Sequence, residues 1–583
     1  MFNTLLKTDF YKCCHMLQYD NSVTHFTSYL TPRNSRFKTI DKMVFFGLSN
    51  FIQKYLVEDF NTTFFNRDFP SIKKEFEEVL RDGLLYDEEL VNKTLTKVSQ
   101  LHTLGYLPIE INALPEGTLC PMGVPAIEIR STHKDFAWVA QAIESLLSCS
   151  IWHPCISATI AHEYAKIASA AYTKTVDNGN YKNGCCDFSL RGQESYESAL
   201  ISGVAFLTSF NNCSTVEARE LIRTIYSDKE VTDVFGLTST EHSVMCTDMA
   251  IYNNEEHIIK KLLTDTYRNV NFSLVADSRD FWNVVTNILP SLREEIEAHN
   301  GFIGIRHDSD EPVHALCGIK SINLNKILCG EPEVNNFEDF ESLVYEIVND
   351  DLHFDEVEEV YFEYKFKDIA YRGVFDIIPY VESYDHKGRE WIAYETTFLR
   401  EERTPEDKGM VESLYELFGG YTNSKGYKVM NPKLKAVYGD SITIPRAKEI
   451  YRRLEEKGFA ANNVSLGVGS FSMECLEEDG VLKPFTRDSF SIAVKATYCI
   501  YNDNGEEKEI FIYKDPKGCS GKKSLKGLCR VVENYEEIKV VQELNQQQYD
   551  ALKPASLFVN YFKDGNVNKY SFKDIRSRME DNI

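Results

Sequence analysis

Along the chain, short apolar runs alternate with helix-like segments, and the polar residues gather at the ends of the runs. VTHFTSYL alternates apolar and polar side chains as a strand does, whereas DKMVFFGLSNFIQKYLVEDF carries the 3.6-residue spacing of a helix. YLPIEINALPEGTLCPMGVPAIEIR is expected to be two strands joined by Pro/Gly turns, with helix through 134–173. From about residue 185 one unit recurs: an apolar run, a polar or glycine tip, then a helical stretch. The tips are CDFSLRG, TEHS, SLVADSRD, GIRHDSD, AVYGDS and SLGVGS. Alternating β and α with polar strand ends predicts an α/β barrel, in which the C-terminal strand ends converge on one mouth. A flat, doubly wound sheet is the alternative architecture.

The repeat is broken once. Asp308 and Asp440 are 132 positions apart, too far for one or two βα units. Within that gap, twelve of the thirty residues of 331–360 are acidic and none is Lys or Arg. Aromatic and β-branched residues interleave through 341–398, so a folded insertion over 319–409 is expected. A solvated acidic lobe is the plain reading; a partner surface or a lid over the site is the other. After 471 the chain turns strand-rich (SFSIAVKATYCIY, EIFIYKD, ASLFVNYFKDG) and carries a lysine-rich loop, KDPKGCSGKKSLKG. The division expected is 1–150, 151–470 with the insertion 319–409 inside it, and 471–583.

Composition narrows the function. With 43% hydrophobic and 26% charged residues over 583 positions, the chain is an ordinary globular protein. A net charge of −25 opposes nucleic-acid binding, which needs a basic face, but not small phosphorylated ligands. MFNTLLKTDFYKCC holds no basic leader followed by an apolar stretch, and FAWVAQAIESLLSCSIW is interrupted by Gln141 and Glu144. A cytoplasmic protein without membrane association is therefore expected. Fifteen cysteines without a CxxC pair point to reduced thiols.

The tips carry the chemistry. Arg191 and Arg306 can grip phosphate bidentately, and Asp277, Asp308 and Asp440 can hold ribose hydroxyls or orient a base. The glycines of GVGS would let backbone N–H groups approach a phosphate. His242 beside Glu241 is a candidate nucleophile or proton carrier. Together these describe a barrel enzyme acting on a phosphorylated sugar. A non-catalytic nucleotide-binding protein is the reading from another class.

DFYK, the arginine of TPR, DFSLRG, TEHS, ADSRD, RHDS, YGDS, TRD and KDP…K…KG follow one another in the order seen in type II phosphoribosyltransferases of the nicotinate/nicotinamide branch, which the chain resembles outside the insertion. The tail YFKDGNVNKYSFKDIR resembles that family's closing strand and helix. The resemblance implies a TIM-like, irregular α/β barrel plus a mixed α/β domain formed from both chain ends. It also implies a homodimer with shared sites, and the joining of nicotinamide to 5-phosphoribosyl-1-pyrophosphate in NAD biosynthesis.

By the same resemblance, Phe188 and the partner chain's copy of Tyr11 would sandwich the pyridine ring, with Ser214 and Ser273 near its amide. Asp308 would stabilise charge at the ribose carbon. Arg191, Arg306, Gly439, Asp440, Gly469 and Ser470 would position ribose and phosphate. Arg33, Arg487, Lys495, Lys514 and Lys522 would hold pyrophosphate. His242, helped by Asp277 and Glu241, would be a phosphorylatable histidine coupling ATP hydrolysis to synthesis. Mg²⁺ would enter mainly through pyrophosphate and water, with no protein ligand set implied. Four positions depart from the family pattern: Ser214 replaces an aspartate, as in nicotinate-using relatives; Asp310 and Ser470 replace glycines; Ala493 replaces a serine. The last three leave ADP-ribose 1-pyrophosphate as an alternative donor, which would give NAD directly.

Overall fold

The structure, a computed structural model, describes residues 2–228, 233–384, 390–439, 441–514, 524–535 and 537–583. Asp440 and Lys522 lie outside the described residues. The chain divides into two compact units, Met1–Ala165 with Ser189–Gly236 and Ser470–Ile583, and Lys166–Phe188 with Leu237–Gly469.

The first unit is built on a seven-stranded antiparallel sheet. In spatial order its strands are Glu506–Phe511, Ala493–Asp503, Val23–Thr31, Ile127–Ser131, Ile109–Ala113, Val559–Lys563 and Asn566–Val567. Strands from the two chain ends therefore pair directly, Tyr29 with Lys495 and Ile111 with Phe562. The segment 189–236 belongs here because its helices bury Val204, Ala205, Ala218 and Ile222 against Val44, Phe46, Phe572 and Ile575. Two local expectations change. In DKMVFFGLSNFIQKYLVEDF, Lys42–Val44 is a strand and the helix begins only at Leu48, after Gly47 in left-handed conformation (φ 98°). Between Ile109 and Ser131 there are three strands, because Leu119–Pro121 pairs with Lys42–Val44. The long-range partner selects the strand that local periodicity hid.

The second unit is an α/β body around a parallel sheet. Its order is Cys185–Asp187, Val464–Val468, Leu434–Tyr438, Ile303–His307, Phe272–Val275. Beyond the last strand, the Thr238–Thr240 run adds an isolated parallel bridge at Ser239 to Ser273. These strands are mostly apolar and buried, with Ser273, Lys435 and Ser465 as polar exceptions inside them, as expected where both faces are covered. The tips recognised in the sequence lie at their C-terminal ends.

The insertion forms its own layer. Lys320–Asn323, Glu358–Phe366, Ile369–Tyr384 and Glu390–Arg400 make a four-stranded sheet. Across it packs the helix Phe337–Asp350, whose stripe Phe340, Leu343, Val344, Ile347 and Val348 meets Phe362, Phe375 and Ile377. Its stems meet at one point: Ile319 N–H donates to the Asp407 carbonyl at 3.0 Å, and Arg400 grips Asp407 at 2.5 and 3.0 Å. Joined ends let an insertion be accommodated without stretching its host.

That junction requires glycine. Gly318 and Gly409 have φ of 69° and 79°. A Cβ would stand 2.2 Å from the Asp407 carbonyl oxygen at Gly318, and 2.2 Å from Gly318 N at Gly409. Gly409→Ala is expected to cost about 3 kcal/mol or more, through a left-handed backbone and a clash with main chain that cannot swing away. Calorimetry should show a lowered unfolding transition.

Candidate active site

The centre of the site is at the end of the Ile303–His307 strand. Arg306 donates Nε–H to Asp308 Oδ1 at 2.8 Å and Nη2–H to Oδ2 at 2.5 Å, a forked pair whose side chains are 11% and 16% exposed. Such planar, two-bond pairing fixes both groups in direction. Arg306 Nη1 also reaches Ser239 Oγ at 3.2 Å. Its guanidinium lies 5.6 Å from the Phe188 ring centroid.

Two glycines make room for this arrangement. A Cβ at Gly439 would come within 2.3 Å of Asp308 Oδ1 and 2.5 Å of Arg306 Nε; one at Gly467 would come within 2.8 Å of Phe188 Cδ2. Gly439 N–H donates to the His307 carbonyl at 3.2 Å, tying neighbouring strand ends together. Gly469 is buried just after the Val464–Val468 strand.

His242 opens the helix His242–Tyr252 and is half-exposed. Its Nε2 stands 3.9 Å from Asp277 Oδ1 and 3.9 Å from Asp308 Oδ2, and Nδ1 lies 3.3 Å from Ser278 Oγ. Glu241 turns elsewhere, accepting from Ser243 Oγ. Asp308, at the same distance, is engaged by Arg306, so the carboxylate left to face His242 is Asp277. Its Oδ2 accepts from Asp308 N (2.9 Å), Ser309 N (2.9 Å) and Ser309 Oγ (2.7 Å), while buried Oδ1 has no hydrogen-bond partner among the described residues. Burial pushes the Asp277 carboxyl up, but these donors outweigh it and hold it below the usual range. An ionised carboxylate facing His242 suits an imidazole that must carry positive charge or a transferred group.

Ser273 supplies a buried hydroxyl without a hydrogen-bond partner among the described residues, and its Oγ would be 3.1 Å from a Cβ at Gly304.

The remaining candidates lie in the first unit. Tyr11 is 61% exposed and tilted against His15 at 5.5 Å. Arg191 is exposed in the turn Leu190–Gly192, which packs so closely on Ser470 that a Cβ at Gly192 would touch its hydroxyl. Ser214 is half-buried before the helix Val216–Ile225. Arg33 Nε–H donates to the Ser491 carbonyl at 3.0 Å, four residues from Arg487, whose side chain meets Asp488 at 3.1 Å. Lys495 is 3.6 Å from Glu144, and Lys514 N–H donates to Ser524 Oγ at 2.8 Å. Missed from the sequence were Ser239, Ser309, His307 and Tyr438, which hold the Arg306–Asp308 turn. His307, Ser309 and Tyr438 lie within the polar tips and Ser239 just before one; Tyr438's role shows only in its hydroxyl contacts with the Ser309 and Asp310 carbonyls.

A parallel sheet whose strand ends gather a forked Arg–Asp pair, an Asp-backed histidine and close-approach glycines has the groups to suit an anionic sugar. The nicotinate phosphoribosyltransferase (NAPRTase) family profile matches residues 184–375 and 397–550, and the nicotinamide phosphoribosyltransferase N-terminal domain matches 3–111. The chain is 31% identical over 577 residues to the nicotinamide phosphoribosyltransferase of Acinetobacter baylyi, covering 96% of this chain and 94% of that protein. The Mycoplasma pneumoniae protein of the same name is 25% identical over 499 residues, covering 82% and 86%. In fold, the chain is similar to nicotinate-nucleotide pyrophosphorylase from Pyrococcus furiosus, with TM-score 0.50 at 12% identity over 99% of this chain and 94% of that one. The chain belongs to the nicotinate phosphoribosyltransferase family and is a pentosyltransferase.

Proposed function

We propose that this enzyme joins nicotinamide to 5-phosphoribosyl-1-pyrophosphate, forming nicotinamide mononucleotide and pyrophosphate in NAD salvage. The observation that carries this reading is the relationship to the Acinetobacter nicotinamide phosphoribosyltransferase along nearly the whole of both chains. The strand-end geometry agrees with it. As the bond from ribose C1 to pyrophosphate oxygen loosens, positive charge grows on the sugar, and the Asp308 carboxylate held by Arg306 is the nearby anion to stabilise it. The ring nitrogen then bonds to C1 as pyrophosphate departs. Phe188 offers its face to the pyridine ring and Ser273 an unpartnered hydroxyl to the amide.

In this reading Arg191, Gly439, Asp440, Gly469 and Ser470 attend the ribose phosphate, and Arg33, Arg487, Lys495, Lys514 and Lys522 the pyrophosphate. His242, faced by Asp277, would accept a phosphoryl group from ATP. Among the described residues no group of three or more His, Cys, Asp or Glu could hold a metal ion, so Mg²⁺ fits as an ion carried by pyrophosphate, where it would neutralise the leaving group. A homodimer, in which Tyr11 serves the partner's ring site, and a cytoplasmic location complete the proposal. No helix among the described residues is long and apolar enough to cross a membrane.

The test offers nicotinamide or nicotinate with phosphoribosyl pyrophosphate or ADP-ribose 1-pyrophosphate and identifies products by mass. Nicotinamide mononucleotide is expected. Preference for nicotinate, prompted by Ser214, would overturn the ring assignment. Direct formation of NAD would overturn the donor.

A further inference from the structure

One buried histidine beside the site has no role in the transfer as described. His307 ends the Ile303–His307 strand, is 1% exposed, and lies between Phe281 (ring centroids 4.0 Å) and Tyr438 (5.8 Å, 12° between planes). Its Nδ1 accepts the Ser309 N–H at 3.2 Å, so the neutral ring carries its proton on Nε2. That nitrogen is 3.2 Å from Asp310 Oδ2, an ion-pair distance without hydrogen-bond alignment, and it has no hydrogen-bond partner among the described residues; the Asp310 side chain is 69% exposed. Asp310 sits at φ 68°, a conformation that a non-glycine residue adopts at a cost. Two contacts hold it there, the His307 pair and the Tyr438 hydroxyl, which donates to the Ser309 and Asp310 carbonyls at 2.6 Å each. The Nδ1 edge of His307 is also 3.6 Å from Asp277 Oδ2, the oxygen that gathers the Asp308 and Ser309 donors. One turn thus links Asp310, His307, Asp277 and His242.

We propose that His307 and Asp310 are a positioning pair for the transfer reaction: the neutral His307 ring, faced by the Asp310 carboxylate, fixes the turn that carries Asp308 and leaves Asp277 to face His242. The inference rests on the phosphoribosyl-transfer reading above. It also places Asp310, the acid where the family keeps glycine, within the turn's own scaffold.

The chemistry makes the pair sensitive to pH. The groups facing the ring are the carboxylates of Asp277, Asp308 and Asp310, the Phe281 face, and Tyr438, whose hydroxyl is committed to carbonyls; Arg306 is engaged by Asp308. Burial pulls the His307 pKa below its ordinary value of 6.5, against the upward pull of Asp277, Asp310 and Asp308. Protonation would remove the acceptor for Ser309 N–H and set a cation beside Asp277, competing with His242. The turn is therefore correctly set above the His307 pKa and lost as pH falls through it, below 6.5. Asp310→Asn keeps the shape of the side chain but removes a charge that favours protonation, so the acid limb moves to lower pH.

The test measures nicotinamide mononucleotide formation from pH 5 to 9 for wild type, Asp310→Asn and His307→Gln, with a titration of ¹³Cε1-labelled histidines by NMR. Asp310→Asn is expected to keep both KM values within about twofold while its acid limb shifts down. His307→Gln should lose that limb and about tenfold in kcat at unchanged KM. If the wild-type and Asp310→Asn profiles superimpose after scaling, the residues are merely structural and the inference is overturned. If wild type makes no nicotinamide mononucleotide, the transfer reading fails and the NMR decides the pair. An Asp310→Asn titration in which neither His307 nor His242 moves then overturns it as well, whereas a shift in both sustains the coupling.

Discussion

Asp308→Ala is expected to lower kcat on the order of a thousandfold or more while the protein stays folded. In the proposed transfer the carboxylate is the anion at the charge that develops on the sugar, and removal of one such group from a preorganised site costs roughly 10²–10³ in rate. A second loss comes with it. Arg306, only 11% exposed, loses both forked bonds and keeps Ser239 Oγ and the Thr240 carbonyl, so its guanidinium is free to turn. Asp308→Asn separates the two effects. The amide oxygen still accepts from Arg306, which preserves direction, but it carries no charge. If electrostatics dominates, Asn and Ala fall together in kcat; if positioning dominates, Asn retains most of the activity. Single-turnover rates with circular dichroism as the fold control would measure both. Near wild-type turnover by Asp308→Ala would remove Asp308 from the chemistry.

Gly439→Ala is expected to cost about a hundredfold in kcat with a melting temperature close to wild type. The added methyl would lie 2.3 Å from Asp308 Oδ1 and 2.5 Å from Arg306 Nε, well inside contact distance. The backbone here is tied to the His307 carbonyl, so the side-chain pair must move. A shift of about 1 Å in a reacting group is enough for a loss of that size. The methyl acts on the pair without touching its charges. A variant active at the wild-type level would show that the pair's geometry is not what the reaction uses.

Legibility differed between the strands and their surroundings. Tips such as GIRHDSD could be read because a buried parallel strand must be apolar and charges can only collect where it ends. The insertion was expected from a broken spacing; its helix, with the stripe Phe340, Leu343, Val344 and Ile347, came only with the structure. The short strands Lys42–Val44 and Leu119–Pro121 were hidden, because three residues carry no periodicity and each exists only through its partner 77 positions away. Glu241 was expected to help His242, being its neighbour in sequence; in the structure that carboxylate serves Ser243, and Asp277, 35 positions on, faces the imidazole.

The amino-acid sequence alone determined the α/β alternation, the candidate residues and the family, since periodicity, charge placement and ordered motifs are properties of the chain. Tertiary structure alone decided which of those residues meet. It paired Arg306 with Asp308, gave Asp277 its two unlike oxygens, and joined the insertion's ends at Gly318 and Gly409. It also set Asp310 3.2 Å from a buried histidine. The physical reason is distance. Hydrogen bonds and ion pairs reach about 3–4 Å, and only folding brings strand ends from different parts of the chain within that range.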